Sequence, residues 1–140
     1  MAIEIVNFTR QIGLKKKVAV LAAKIIKLTR AQGKDLSLVL VGEQRMRSIN
    51  HQWRKQDQVT DVLSFSWAEK KPKGVVSGEI FICPRQIARQ AKATREDFQV
   101  ELTRILVHGI LHLLGYDHEQ NKVEAELMLE KQEQLLKKLK

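Results

Sequence analysis

The apolar side chains of this 140-residue chain follow two different periods. In several short stretches, apolar and polar residues alternate more or less regularly, which is typical of strands with one buried face. This pattern predicts strands over Ile3 to Phe8, Leu36 to Val41, Val62 to Trp67 and Gly78 to Cys83.

Elsewhere the apolar residues recur every three or four positions, which is the period of an amphipathic helix. Proline is well tolerated as the first residue of a helix, so Pro84 marks the start of one of them. The predicted helices are Lys15 to Gln32, Glu43 to Trp53, a helix beginning at Pro84, Arg95 to Leu114 and Glu119 to Lys140.

The helix predicted to end at Leu114 differs from the others. Apolar residues cover nearly all of its faces from Ile105 onward, so we expect it to be central and buried. Thr94 followed three residues later by Asp97 resembles a capping box and predicts where this helix begins. In the helix from Glu43, by contrast, Met46, Ile49 and Trp53 are spaced by three and four, which predicts core residues rather than a base-stacking platform.

The order of these elements indicates the fold class. Strand, helix, strand, helix, two strands and three helices predict a single α+β domain over residues 1–140. We expect about four strands in a mixed sheet, packed with about five helices.

The net charge indicates the kind of partner, and the cysteine content indicates the cellular compartment. The 25 basic residues exceed the 16 acidic ones, so the formal net charge of +9 favours a polyanionic partner such as nucleic acid, although basic charge also serves solubility alone. The single cysteine, Cys83, excludes an internal disulfide and is expected to be a buried small hydrophobe in a reducing compartment. Glu4 interrupts what would be the core of a signal peptide, and no run of 18 apolar residues occurs, so a cytoplasmic protein with no membrane partner is expected.

Three of the four histidines lie in one short segment after Val107. His108 and His112 are four residues apart, so a helix places both rings on one face. Gly115 can adopt a left-handed conformation that ends the helix and turns the chain, which brings His118 in as a third ligand. Three neutral imidazoles on a divalent cation leave a coordination position open for an activated water. The spacing therefore predicts a hydrolytic metal site at the end of the central helix.

The same spacing resembles the zinc-peptidase pattern His-Glu-x-x-His-x-x-Gly-x-x-His, in which the glutamate acts as general base. Gly109 occupies the position of that glutamate here. A glycine cannot accept a proton, so a metallopeptidase is a less favoured alternative.

The segment His108 to His118 reads His-Gly-x-Leu-His-Leu-x-Gly-Tyr-Asp-His, which resembles the signature of the YbeY family of bacterial endoribonucleases and rRNA maturation factors. Thr60 to Phe65 resembles a second motif of that family, and Asn50 to Arg54 resembles the segment before it. The resemblance extends from about Asp35 to His118.

This resemblance implies a zinc-dependent, single-strand-specific endoribonuclease that acts in maturation of 16S rRNA near its 3′ end and in ribosome quality control. The implied partners are small-subunit rRNA, small-subunit ribosomal proteins and assembly factors, with no DNA expected. Arg54 aligns with an arginine near the family's metal cleft, where a guanidinium can bind a phosphate and stabilise charge in the transition state. A surface arginine at a helix end is the alternative interpretation of Arg54.

A non-catalytic ribosome assembly factor with structural zinc is a further alternative. It needs a fourth protein ligand, which Cys83 or Asp117 could supply. Asp117 could instead accept the N–H of a ligand imidazole or act as an acid–base group. The metal is also open, because imidazoles bind nickel, copper and iron as well as zinc.

Overall fold

One mixed sheet of four strands organises the residues that the computed structural model describes, which are 2–67, 74–116 and 121–140. The strands lie in the order β1-β2-β4-β3, with β2 parallel to both β1 and β4. β3 pairs antiparallel with β4 and forms one edge of the sheet. The bounds are β1 (Ala2–Asn7), β2 (Gln32–Leu40), β3 (Val62–Ser66) and β4 (Val75–Ile82).

Five helices pack on this sheet within the described ranges, so the predicted element order and the α+β class are confirmed. One boundary is earlier than predicted, because Arg30 adopts a left-handed conformation (φ 55°) and its N–H bonds to the Lys27 carbonyl. The helices are α1 (Leu14–Thr29), α2 (Glu43–Arg54), α3 (Pro84–Ala93), α4 (Phe98–Leu113) and α5 (Lys122–Leu139).

The predicted start of α4 was wrong, because Asp97 rather than Thr94 is its N-cap residue. The Asp97 carboxylate accepts the N–H of Gln99 at 2.7 Å and caps α4 directly. Thr94 belongs to the preceding element, where its hydroxyl donates to the Gln90 carbonyl at 3.0 Å. Arg95 lies between them with φ 57°, which separates α3 from α4.

The two faces of the sheet bury different clusters. The larger core lies between β2, β4 and the helices α1, α3, α4 and α5, and Leu106 and Ile110 of α4 are fully buried in it. This confirms that α4 is the central helix. The second cluster lies under α2 on the opposite face and contains Met46, Leu63 and Cys83.

Two glycines set how closely α4 approaches the sheet. At Gly78 of β4, a side chain would collide with the Phe65 carbonyl oxygen and lie 2.8 Å from the Leu113 side chain. At Gly109 of α4, a Cβ atom would lie 3.3 Å from the Ser64 hydroxyl. The helix therefore lies directly against β3 and β4, which brings its C-terminal half next to the edge strand.

The last helix, α5, packs on α4 with only part of its apolar surface. Met128 and Leu135 are buried, but Leu129 is 58% exposed. Of the helices in the described ranges, none combines the length and apolar character that crossing a membrane requires.

Candidate active site

A cleft of about 340 Å³ opens between α4, β3 and the end of α2. Three of the four residues predicted from the sequence line it together, namely Arg54, His108 and His112. Both histidines are half-buried, whereas the residues next to them in α4, Val107, Gly109, Leu111 and Leu113, are buried. The cleft also contains Asn50, Thr60 and Ser64.

The third predicted ligand, His118, lies outside the described residues, as does Asp117. The turn that precedes them is described: α4 ends at Leu113, and Gly115 has φ 107°, as its predicted role requires. Among the described residues, no three His, Cys, Asp or Glu side chains lie close enough together to hold a metal ion. The three-histidine site therefore stays a prediction, with two of its members placed in one cleft.

The imidazole of His108 contacts a residue that the sequence analysis did not identify as part of the site. Its Nδ1 lies 3.2 Å from Oε1 of Gln132 in α5. Because an amide oxygen only accepts hydrogen bonds, this contact places the proton on Nδ1 and makes Nε2 the nitrogen suited to bind a metal. The donor set is thus compatible with a metal ion. The available signal was that Gln132 lies at helical spacing between the apolar residues Met128 and Leu135 of the last helix.

Arg54 is the last residue of α2, because Lys55 adopts a left-handed conformation (φ 60°) that ends the helix. Its Nη2 donates to the Ser64 carbonyl at 3.0 Å, and its Cζ lies 5.3 Å from the centre of the Phe65 ring. These two contacts hold the guanidinium beside β3. Within the described ranges no carboxylate forms an ion pair with Arg54, whereas Arg47 is paired with Asp57. Its charge is therefore available to an anion in the cleft.

Comparison with known proteins decides the family. The family model for "Endoribonuclease YbeY" matches residues 4–140. The chain belongs to the YbeY endoribonuclease family. Proteins named Endoribonuclease YbeY from Thermodesulfovibrio yellowstonii and Persephonella marina are 38% and 36% identical to it. These alignments cover 100% and 90% of this chain, and 98% and 84% of the relatives.

A solved structure agrees with this membership. The solution structure of TM1509 from Thermotoga maritima has a TM-score of 0.70 and 32% sequence identity, and the match covers 96% of this chain and 87% of that one. The resemblance predicted from the histidine motif is therefore confirmed, and the chain is a member of a family of hydrolytic nucleases.

In this YbeY family member, the wall of the cleft opposite α4 is a loop fixed from two sides. The buried Asn50 side chain donates to the Gln58 carbonyl at 2.9 Å. Arg47 bonds both carboxylate oxygens of Asp57, at 2.8 and 3.2 Å. Hydrogen bonding from Arg47 lowers the pKa of the Asp57 carboxyl, so both side chains of this ion pair stay charged. The loop after Arg54 is thus held in place before any ligand arrives.

The prediction that Trp53 is a core residue was wrong. Met46 is fully buried, but Trp53 is 63% exposed. Trp53 lies in the last turn of α2, above Phe65 of the edge strand, and only part of its indole is covered there.

The prediction that Cys83 is buried is confirmed, and the packing of its side chain disfavours its alternative role as a fourth metal ligand. Its side chain packs with Met46 and Leu63 on the face of the sheet opposite α4, whereas His108 and His112 belong to α4. Burial also raises the pKa of the Cys83 thiol, which disfavours the thiolate that binds metals.

Proposed function

We propose that this protein is a zinc-dependent, single-strand-specific endoribonuclease that acts in the cytoplasm on small-subunit rRNA. Its proposed roles are maturation of 16S rRNA near the 3′ end and ribosome quality control, in contact with small-subunit ribosomal proteins and assembly factors. The observation that carries the proposal is that Arg54, His108 and His112 line one cleft in a chain of the YbeY family.

The proposed zinc ligands are His108, His112 and His118. When bound, zinc would supply the acidity that activates water and the charge that polarises a phosphate oxygen. Gln132 orients the His108 ring through Nδ1, so that the ligand needs no reorientation before binding.

Arg54 has the second role, which is to bind the phosphate. A planar guanidinium presents parallel N–H donors that match two phosphate oxygens, and its charge stabilises the negative charge that develops during hydrolysis. The bond from Nη2 to the Ser64 carbonyl keeps the group at the cleft in the absence of substrate. Positioning of this kind reduces the reorganisation that the reaction needs.

The metallopeptidase alternative meets a steric obstacle as well as a chemical one. A Cβ atom at Gly109 would lie 3.3 Å from both the Ser64 hydroxyl and the Ile80 side chain. A side chain at this position would require these two neighbouring side chains to shift by a few tenths of an ångström. The glycine is thus compatible with close packing of α4 and not with a general base.

The decisive experiment measures cleavage of an end-labelled single-stranded rRNA fragment by protein of known metal content. We expect cutting that a chelator abolishes and added zinc restores, with no cleavage of casein and little of a duplex of the same sequence. Cleavage that persists after the metal is removed would contradict the metal-dependent proposal. RNA binding without cleavage by the zinc-loaded protein would favour the assembly-factor alternative.

The contact between His108 and Gln132 gives a separate prediction about the metal. Gln132→Leu keeps the size of the side chain but removes the acceptor, so zinc affinity should fall about 10–100-fold, as for other outer partners of metal-binding histidines. The affinity is measured by competition with a chromophoric chelator. Gln134→Leu, an exposed position on the same helix, is the matched control and should leave the affinity unchanged. Equal affinities for both variants would mean that the contact does not orient the ligand.

A further inference from the structure

The cleft does not end at Arg54. A second lobe of about 430 Å³ continues along β3 and shares Arg54, Ser64 and His112 with the first. Its outer wall is aromatic, because Trp53 and Phe65 line this lobe and not the first. An extended ligand bound at Arg54 can therefore pass from a polar, histidine-lined lobe into an aromatic one without leaving the surface.

The aromatic wall consists of three rings that contact one another in sequence. Phe81 of β4 contacts Phe65 edge to face, with ring centres 5.9 Å apart. Phe65 in turn contacts Trp53 at 6.2 Å, with an angle of 65° between the ring planes. These contacts fix the Trp53 ring at the end of α2, yet 63% of the residue is exposed. An exposed tryptophan on a rigid base costs little conformational entropy when a ligand packs on it.

Charge around this wall favours an anionic ligand. Arg54 lies over the Phe65 ring, and Lys55 follows it in the chain with an exposed side chain. Across the sheet, Phe65 pairs in the register with Glu79, and burial raises the pKa of this carboxyl. A flat apolar surface flanked by cations is the combination that binds unpaired bases through stacking and their phosphates through charge.

From this arrangement we infer that Trp53 and Phe65 form a stacking surface for an unpaired nucleobase, next to the phosphate bound by Arg54. The inference rests on the proposed function, and it explains how the proposed site selects single-stranded over duplex RNA. A base inside a duplex has both faces covered by its neighbours, so it cannot stack on Trp53. Single-stranded RNA is therefore preferred at the step of binding.

Binding is measured with chelator-treated protein, so that no cleavage occurs. The ligands are a short single-stranded oligoadenylate and an abasic oligomer with the same number of phosphates. We expect Trp53→Ala to raise the Kd for the oligoadenylate about tenfold and to leave the Kd for the abasic oligomer unchanged. Trp53→Phe should retain most of the affinity, and Phe65→Leu should lose part of it.

Phe8→Ala is the matched control. Phe8 is 57% exposed and has Arg45 over its ring at 4.3 Å, but it follows β1 at the opposite edge of the sheet. We expect no change in either Kd for this variant. In a Trp67→Phe background, Trp53 is the remaining tryptophan, and its fluorescence should be quenched by the oligoadenylate and not by the abasic oligomer.

Each other outcome overturns the inference. These outcomes are equal loss on both oligomers for Trp53→Ala, unchanged binding for Trp53→Ala, and no binding of oligoadenylate by the parental protein. Because the assay involves no cleavage, it separates the two proposals. A protein that cuts RNA but shows no dependence on the base at Trp53 retains the proposed function, whereas one that stacks bases but never cuts RNA retains only the stacking surface.

Discussion

Arg54→Ala should lower the rate of single-stranded RNA cleavage by about a hundredfold or more while zinc content and the cooperative unfolding transition are retained. The loss corresponds to removing one well-placed donor from a developing anion, for which about 10²–10³-fold is typical. Arg54 bonds the Ser64 carbonyl and lies over the Phe65 ring, and neither contact involves the histidines, so its removal should leave them in place. Arg54→Lys should recover part of the rate, since it keeps the charge but not the planar pair of donors.

Arg45→Ala is the appropriate control for this experiment. Arg45 lies on the same helix and also stacks on an aromatic ring, that of Phe8, at the other edge of the sheet. Its removal should leave the cleavage rate within about twofold of the parental rate, as expected for a surface change away from the site. If Arg54→Ala cuts RNA as fast as Arg45→Ala, Arg54 has no part in catalysis.

His112→Ala should abolish zinc-dependent cleavage and weaken zinc binding by more than the 10–100-fold or so expected for an outer partner such as Gln132. The reason is that His112 is proposed as a direct ligand, whereas Gln132 only orients one. His112 is only half-buried, so the variant should fold, with some loss of thermal stability. Metal content by atomic spectroscopy and the chelator competition assay test both statements.

His51→Ala serves as the control for His112→Ala. His51 is exposed on α2 and is not among the residues that line the cleft. A His112→Ala protein that keeps a full equivalent of tightly bound zinc would falsify the assignment of this ligand.

Periodicity predicted the elements well because most of the apolar positions that define the pattern are buried in the fold. Most apolar positions of β2, β4 and α4 are buried in the structure, so the pattern and the core largely coincide. The ends of the helices were less predictable, because several neighbouring residues can suit the same cap position. Thr94 and Asp97 both suit an N-cap, and only the structure shows that Thr94 bonds backward to Gln90 while Asp97 begins α4.

The candidate site was predictable where its chemistry lies within one segment. His108 and His112 lie on one turn of a helix, and the helical period alone places them together. Trp53 was misjudged and Gln132 was not singled out for the opposite reason, because their positions depend on contacts between distant parts of the chain. Whether Trp53 is covered depends on where α2 ends relative to β3, and Gln132 contacts His108 only once α5 packs on α4.

The edge position of β3 also bears on how this protein avoids pairing with other copies of itself. An edge strand presents backbone groups that can add a strand from another molecule, which is a common start of aggregation. β3 has five residues, and Ser64 is the central one. The Arg54 guanidinium donates a hydrogen bond to the Ser64 carbonyl. The side chain proposed to bind phosphate therefore also blocks part of the strand edge against intermolecular β-pairing.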